Sequence, residues 1–304
     1  MTMASAPTDG LDRGEPVRLG AVGYLNARPL VCGLERNARY AVRYDIPSEC
    51  ARLLHAGETD LGLIPSIEYL RGGIYNIVPD VSISSRGPVA SVAIYTTRPM
   101  REVRSIAMDT SSRTSVALVR VLCARHFRIA PRFESHGPHL NEMLVTCDAA
   151  LLIGDNALFL TPDAHGGVAG LERSVEKIDL GDVWLELTGL PFVYAFWAGR
   201  PDVLTRADVA ALQHARDEGM ARPFELAREY LADRPDRQAR GAEYLRDNIK
   251  YRLGADERAG LETFYRYAVE AGVVDEYRPP RFYEFAHEYV PAISGEIDGE
   301  RLHK

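Results

Sequence analysis

Four short stretches of the chain carry polar side chains where they could meet a ligand. In "GYLNARPL" an apolar run breaks at Gly23 and delivers Tyr24, Asn26 and Arg28. Asn26 is a strong N-cap for a helix beginning near Ala27. Its amide could also donate to a ligand oxygen, and a helix N-terminus is itself an anion site. Arg28 is either a ligand cation or a solvated helix charge. In "ISSRGPVASV", Gly87-Pro88 marks a tight turn, and Ser84, Ser85 and Arg86 precede it on a polar turn or a binding loop. "DTSSRTSVALV" follows a strand and opens an amphipathic helix. Thr110, Ser111, Ser112, Thr114 and Ser115 supply more hydroxyls than one cap needs. With Arg113 and the free N–H groups of a first turn they make a cradle for a carboxylate or phosphate. In "LLIGDNALF" a buried strand ends at Gly154, and Asp155 then either caps a helix or receives a substrate hydroxyl.

Other chemistries find no motif. There is no GxSxG, no HExxH, no Walker lysine, and "RLGAVGYLN" lacks the full GxGxxG. Histidines such as His136, His139 and His165 fall in polar or loop settings, so no metal and no cofactor is expected. Cys32, Cys50, Cys123 and Cys147 form no CxxC pair and read as buried free thiols in a reducing compartment. A net charge of -7 argues against nucleic acid as partner. No run approaches the roughly 20 apolar residues of a membrane span. The polar N-terminus, residues 1–16, has no apolar core of a signal peptide and is expected to be flexible. These features together predict a cytoplasmic protein.

Positioning the four stretches falls to alternating strands and helices. The pattern predicts strands at "VRLGAVGY", "YAVRYDI", "DLGLIP", "SVAIYTT", "VRSIAM", "DAALLIG" and "PFVYAFWAG". Helices fit between several of them, one N-capped by Ser48 and another along "SRTSVALVRVLCARHF". Such alternation predicts α/β architecture with mostly parallel sheets. From Leu204 onward the text is helical, and Tyr244, Leu245, Ile249, Leu261, Phe264, Tyr265 and Val269 form apolar stripes for core packing.

"SVAIYTTRPM" and "PFVYAFWAGRPD" share a shape, an apolar strand followed by Arg-Pro. Two strands crossing between two α/β lobes explain the echo. The division predicted is residues 17–95 plus 198–304 as a discontinuous first lobe and residues 96–197 as the second. A ligand would then bind in the cleft, at strand C-terminal ends and helix N-termini.

In order, "GYLNARPL", "GLIPSIEYL", "GPVASV", "TSSRTSVAL", "LLIGDNAL" and "TGLPFVYAFW" resemble the chorismate dehydratase family of the futalosine route to menaquinone. The resemblance implies a two-lobed fold like that of type II periplasmic binding proteins, with a central cleft. It implies loss of water from chorismate to give 3-[(1-carboxyvinyl)oxy]benzoate. Asn26 matches the family's key active-site asparagine, with Tyr24, Ser85, Arg86, Ser111, Ser112, Arg113, Thr114 and Asp155 expected around the substrate. The same fold also serves 1,4-dihydroxy-6-naphthoate synthase and non-enzymatic solute receptors, which are the alternatives.

Overall fold

A computed structural model describes residues 15–160 and 174–285. Most of the N-terminal segment expected to be flexible, and His165, lie outside the described residues. The strands are β1 (Val17–Val22), β2 (Tyr40–Asp45), β3 (Leu61–Pro65), β4 (Asn76–Ile77), β5 (Ile83–Ser85), β6 (Val92–Thr96), β7 (Ser105–Asp109), β8 (Arg132–His136), β9 (Ala149–Ile153), β10 (Glu176–Asp179) and β11 (Phe192–Gly199). The α-helices are α1 (Pro47–His55), α2 (Glu68–Arg71), α3 (Thr114–Leu122), α4 (Leu140–Thr146), α5 (Gly154–Leu158), α6 (Leu180–Thr188), α7 (Arg206–Met220), α8 (Pro223–Tyr230), α9 (Pro235–Glu243) and α10 (Ala255–Glu270).

The strands form two sheets. The first has the order β2-β1-β3-β11-β4, with β5 also paired to β11; the second has the order β10-β6-β9-β7-β8. Within the first, β1 pairs in parallel with β2 and β3. Within the second, β7 pairs in parallel with β8 and β9. The sheets are mixed, not mostly parallel, because β6 and β11 run antiparallel to their neighbours. β6 follows β5 of the other sheet over a short link, and β11 follows β10 of the other sheet through α6; neither is the second strand of a βαβ unit within one sheet, which would have kept the parallel sense.

Strand pairing also bears on where the chain crosses. β6 pairs only within the second sheet and β11 only within the first. The chain therefore passes from one sheet to the other within residues 86–91, between β5 and β6, and within residues 180–191, between β10 and β11. Asp179 pins the first link near its β6 end and joins it to α6. Its carboxylate accepts from the amides of Val89 (3.0 Å) and Ala90 (2.7 Å) and caps α6 through Gly181 (2.9 Å). Gly181 has to be glycine, because a Cβ there would meet the Gly87 carbonyl oxygen at 2.3 Å.

The C-terminal helices close the first half. Phe264 and Tyr265 of α10 are fully buried, and the Phe264 ring contacts Phe192 and Trp184. Trp184 and Trp197 belong to this core, with the Trp184 Nε1–H donating to the Pro191 carbonyl at 3.2 Å. The four cysteines are free and buried. Among the described residues no helix is long and apolar enough to cross a membrane.

Candidate functional site

Parallel strands β1 and β3 of one sheet, and β7 and β9 of the other, point their C-terminal ends at a common space. There a cavity of about 60 Å³ lies between the sheets. The first sheet supplies Val22, Pro65 and Ile83 to its wall, and the second supplies Val92 and Ile153. Polar groups enter this apolar box at few places, as expected of a small-molecule site.

Asn26 is one of them. It does not cap a helix. The chain after β1 forms a 3₁₀-helix, Leu25–Val31, whose N-cap is Tyr24 with no side-chain cap bond. Pro29 inside this turn has no N–H to donate, which suits a short 3₁₀ segment better than a continuing α-helix. Leu25, Ala27 and Leu30 bury the opposite side of the turn. Helix α7 comes close enough that a Cβ on Gly219 would be 2.4 Å from Pro29. Asn26 is thereby held against the cavity, and its Oδ1 is buried with no hydrogen-bond partner. A buried acceptor left unpaired costs about 1–3 kcal/mol.

The hydroxyl-rich start of α3 faces Asn26 from the other sheet. Ser112, Thr114 and Ser115 line the cavity and are buried. The Ser112 hydroxyl accepts from the Ser115 amide at 3.1 Å, capping the first turn. Thr114 Oγ1 accepts from the Ile67 amide at 3.2 Å and so ties α3 to the end of β3. Ser111 is turned toward Asp109 instead: its hydroxyl donates to Oδ1 at 2.6 Å and its amide to the same oxygen at 3.0 Å. Burial raises the Asp109 carboxyl above its usual range, and these two bonds pull the other way.

Tyr24 lines the cavity and spans the sheets, its hydroxyl donating to Ser111 Oγ at 3.4 Å. Its ring lies so close to Gly154 that a Cβ there would meet Tyr24 carbons at 2.9 Å. Asp155 is not an N-cap, since Ile153 holds that position. Its carboxylate bridges the halves: it accepts from the Tyr230 hydroxyl at 2.5 Å and from the Leu25 amide at 3.4 Å. Burial raises its pKa, partly offset by these donors.

Five expected ligand residues are not among those lining the cavity: Ser111 and Asp155, engaged as just described, and Ser85, Arg86 and Arg113. The Ser85 hydroxyl is spent in the core, donating to the Gly87 carbonyl (3.1 Å) and meeting the Tyr194 hydroxyl (3.2 Å). Arg86 is exposed and pairs with Asp256 at 3.1 Å, because the turn at Gly87 sends it to solvent. Arg113 is exposed and lines an outer hollow, one residue out of phase with Ser112 and Thr114 on the helix start. Arg28 lies outside the cavity, its guanidinium between the rings of Tyr44 (4.5 Å) and Tyr230 (5.0 Å). Ser48 does not cap α1 either: Pro47 takes the first helical turn and the N-cap is Ile46.

Sequence reasoning missed Ser91, Tyr194 and Tyr244. Ser91 and Tyr194 line the cavity, and the Tyr244 hydroxyl donates to Ser91 Oγ at 2.7 Å from behind. Tyr244 is read as core from its helical stripe and is indeed buried. Only the third dimension brings its hydroxyl to Ser91. Hydroxyls and one amide form the polar lining. No carboxylate, imidazole, amine or guanidinium is among the lining residues.

Two mixed sheets that face each other across a cavity at their strand ends define the class: a two-lobed protein with the generic fold of periplasmic binding proteins. Solved structures agree. The chain is similar to protein AF1704 from Archaeoglobus fulgidus, with a TM-score of 0.67 and 16% identity, covering 86% of this chain and 100% of that one. It is similar to the periplasmic aliphatic sulphonate binding protein SsuA from Escherichia coli, with a TM-score of 0.54 and 15% identity, covering 94% and 99%. The family is narrower than the fold. The model of the menaquinone biosynthesis family matches residues 17–270, and the chain belongs to that family. Among curated relatives, a chorismate dehydratase from Thermus thermophilus is 34% identical over 258 residues, 82% of this chain and 94% of the relative. One from Campylobacter jejuni is 26% identical over 245 residues, 80% and 89% of the two.

Proposed function

We propose that this protein is a chorismate dehydratase, a hydro-lyase that converts chorismate to 3-[(1-carboxyvinyl)oxy]benzoate for menaquinone synthesis. One observation carries the assignment of the site: Asn26 meets the cavity with a buried, unpartnered Oδ1, opposite a helix start rich in hydroxyls. The family and both named dehydratases support the reaction over a solute receptor or a naphthoate synthase. The free buried cysteines support a cytoplasmic setting. The lobes are proposed to divide at the connectors 86–91 and 180–191.

The cavity lining offers no ionised base, so the proton acceptor in this reading comes with the substrate. The enolpyruvyl carboxylate takes the proton from the ring carbon that bears the ether. The C–H electron pair becomes a ring double bond as hydroxide leaves the neighbouring carbon. The proton then joins the hydroxide, and one water departs. Asn26 holds the enolpyruvyl arm over that proton. Ser112, Ser115 and the first-turn N–H groups of α3 receive the ring carboxylate, onto which charge spreads. Tyr24 forms part of the wall. Positioning of this kind lowers a barrier by about 7–11 kcal/mol at best, and aromatisation drives the step.

The test is to incubate purified protein with chorismate and follow mass and ultraviolet absorbance. Loss of one water with the enolpyruvyl group retained is expected. Released pyruvate, or chorismate bound and unchanged, overturns the assignment.

A further inference from the structure

A second hollow, about 490 Å³, opens on the outside of the seam between the two halves. Arg71, with Val273 beside it, lines it from the first half, and Ser112, Arg113, Arg120 and Phe133 from the second. Ser112 is common to this hollow and to the central cavity, so the two spaces adjoin at that residue. Arg113 and Arg120 lie seven residues apart, two turns of helix, and so share one face of α3. Among the described residues neither pairs with a carboxylate. Arg120 is braced instead over the Phe133 ring at 4.5 Å.

The acidic groups nearby are already engaged. Glu134 lines the hollow and is held by Arg132 at 2.7 Å. Glu68 is held by Arg71 at 3.0 Å and by His55 at 3.1 Å, and it also feels the charge of Arg113. The hollow therefore presents a surplus of guanidinium charge, while the central cavity has no cationic side chain in its wall. In a protein of net charge -7, a local positive field at the seam is what an anionic ligand would follow.

We propose that this hollow is an antechamber that captures the substrate as a small dicarboxylate, with Arg113 and Arg120 as the capturing cations, before the halves part and admit it past Ser112. The inference rests on the dehydratase reading of the central cavity. It assigns electrostatic capture to the outer hollow and leaves chemistry to the neutral inner one. A neutral inner wall spares the reaction a fixed cation that would hold the enolpyruvyl carboxylate back from the ring proton.

The experiment compares kcat and kcat/KM for chorismate across ionic strength in wild type, R113Q/R120Q and R101Q/R104Q. Arg101 and Arg104 precede β7, at the end opposite the hollow, and their double variant has the same net charge. At low salt the R113Q/R120Q value of kcat/KM is expected to fall about tenfold, with a flattened salt dependence and the loss in KM, not in kcat. The wild-type advantage should vanish at high salt, and the control should follow wild type. Equal kcat/KM and equal salt dependence in both double variants overturn the antechamber. Should wild type leave chorismate unchanged, the dehydratase reading fails separately. Calorimetric binding of benzene-1,3-dicarboxylate then decides capture: weaker binding in R113Q/R120Q alone supports it, and equal binding in all three overturns it.

Discussion

The hydroxyl of Tyr230 donates to the Asp155 carboxylate at 2.5 Å, joining the C-terminal end of α8 to α5 across the seam. The Gly23 carbonyl, where the chain leaves β1, lies 3.1 Å from the same hydroxyl and is its alternative acceptor. The bond to Asp155 works with Leu25–Asp155 and Thr114–Ile67 to hold the halves together around the cavity. A bond to a charged group contributes about 1.5–3 kcal/mol. Tyr230→Phe should therefore loosen the contact between the halves. We expect KM for chorismate to rise about tenfold and the ligand-free radius of gyration to increase in small-angle scattering. No change in either would show that this pair does not hold the halves together.

Asn26 separates stability from activity. Its Oδ1 is buried without a partner, so an apolar side chain of similar shape removes a penalty instead of adding one. Asn26→Leu is expected to melt at or above the wild-type temperature while turnover falls at least about 100-fold, the scale of losing one preorganised polar group. A melting temperature several degrees lower would place Asn26 in the packing. Turnover at the wild-type rate would remove it from the chemistry.

Two glycines with positive φ distinguish strain from collision. Gly154 has φ +61° and Gly189 has φ +72°. A side chain costs about 1–2 kcal/mol of backbone strain at either position. A Cβ on Gly189 meets nothing, whereas one on Gly154 strikes the Tyr24 ring. Gly154→Ala should lower stability by more than Gly189→Ala and also raise KM, because Tyr24 must move. Thermal melts and steady-state kinetics on both variants test this; equal effects would mean that Tyr24 is not fixed by Gly154.

Asp208 provides a pH-dependent stabilisation. It is buried, which would raise its pKa. Arg39, with bonds of 2.9 Å, then Thr205 and Tyr40, outweigh that and lower it to about 2. A depressed carboxyl stabilises the fold above its unfolded pKa, and the contribution disappears as pH falls through the folded value. Asp208→Asn should cost about 2 kcal/mol at pH 7 by the usual linkage. In urea unfolding, the gap between wild type and variant should narrow as pH drops from about 4 toward 2. A gap independent of pH would mean that the charge is not what Asp208 contributes.

The seven strands predicted from apolar runs are all present, with ends shifted by one or two residues. Their apolar runs are a local property of the sequence. The strands that escaped notice are short or partly exposed: β4, β5, β8 and β10. Their pairing is set by neighbours, not by their own pattern. The cap expected at Ser48, and the capping alternatives at Asn26 and Asp155, failed for a related reason. Proline displaced the first cap, a 3₁₀ turn absorbed the second, and the third side chain found Tyr230 instead.

By itself the sequence determined the α/β alternation, the helical tail, and the stretches of chain that gather at the cleft, because hydrophobic period and turn chemistry act over a few residues. It also carried the ordered motifs that point to the menaquinone biosynthesis family. The tertiary structure decided which members of each stretch face inward. Ser112 and Arg113 lie in the turn ahead of α3, outside the helical repeat, and there Ser112 and Thr114 reach the cavity while Arg113 between them reaches only the outer hollow. Residues far apart in the chain, such as Ser91 and Tyr244, meet only once both halves are packed. That placement depends on long-range packing, which no local window of sequence contains.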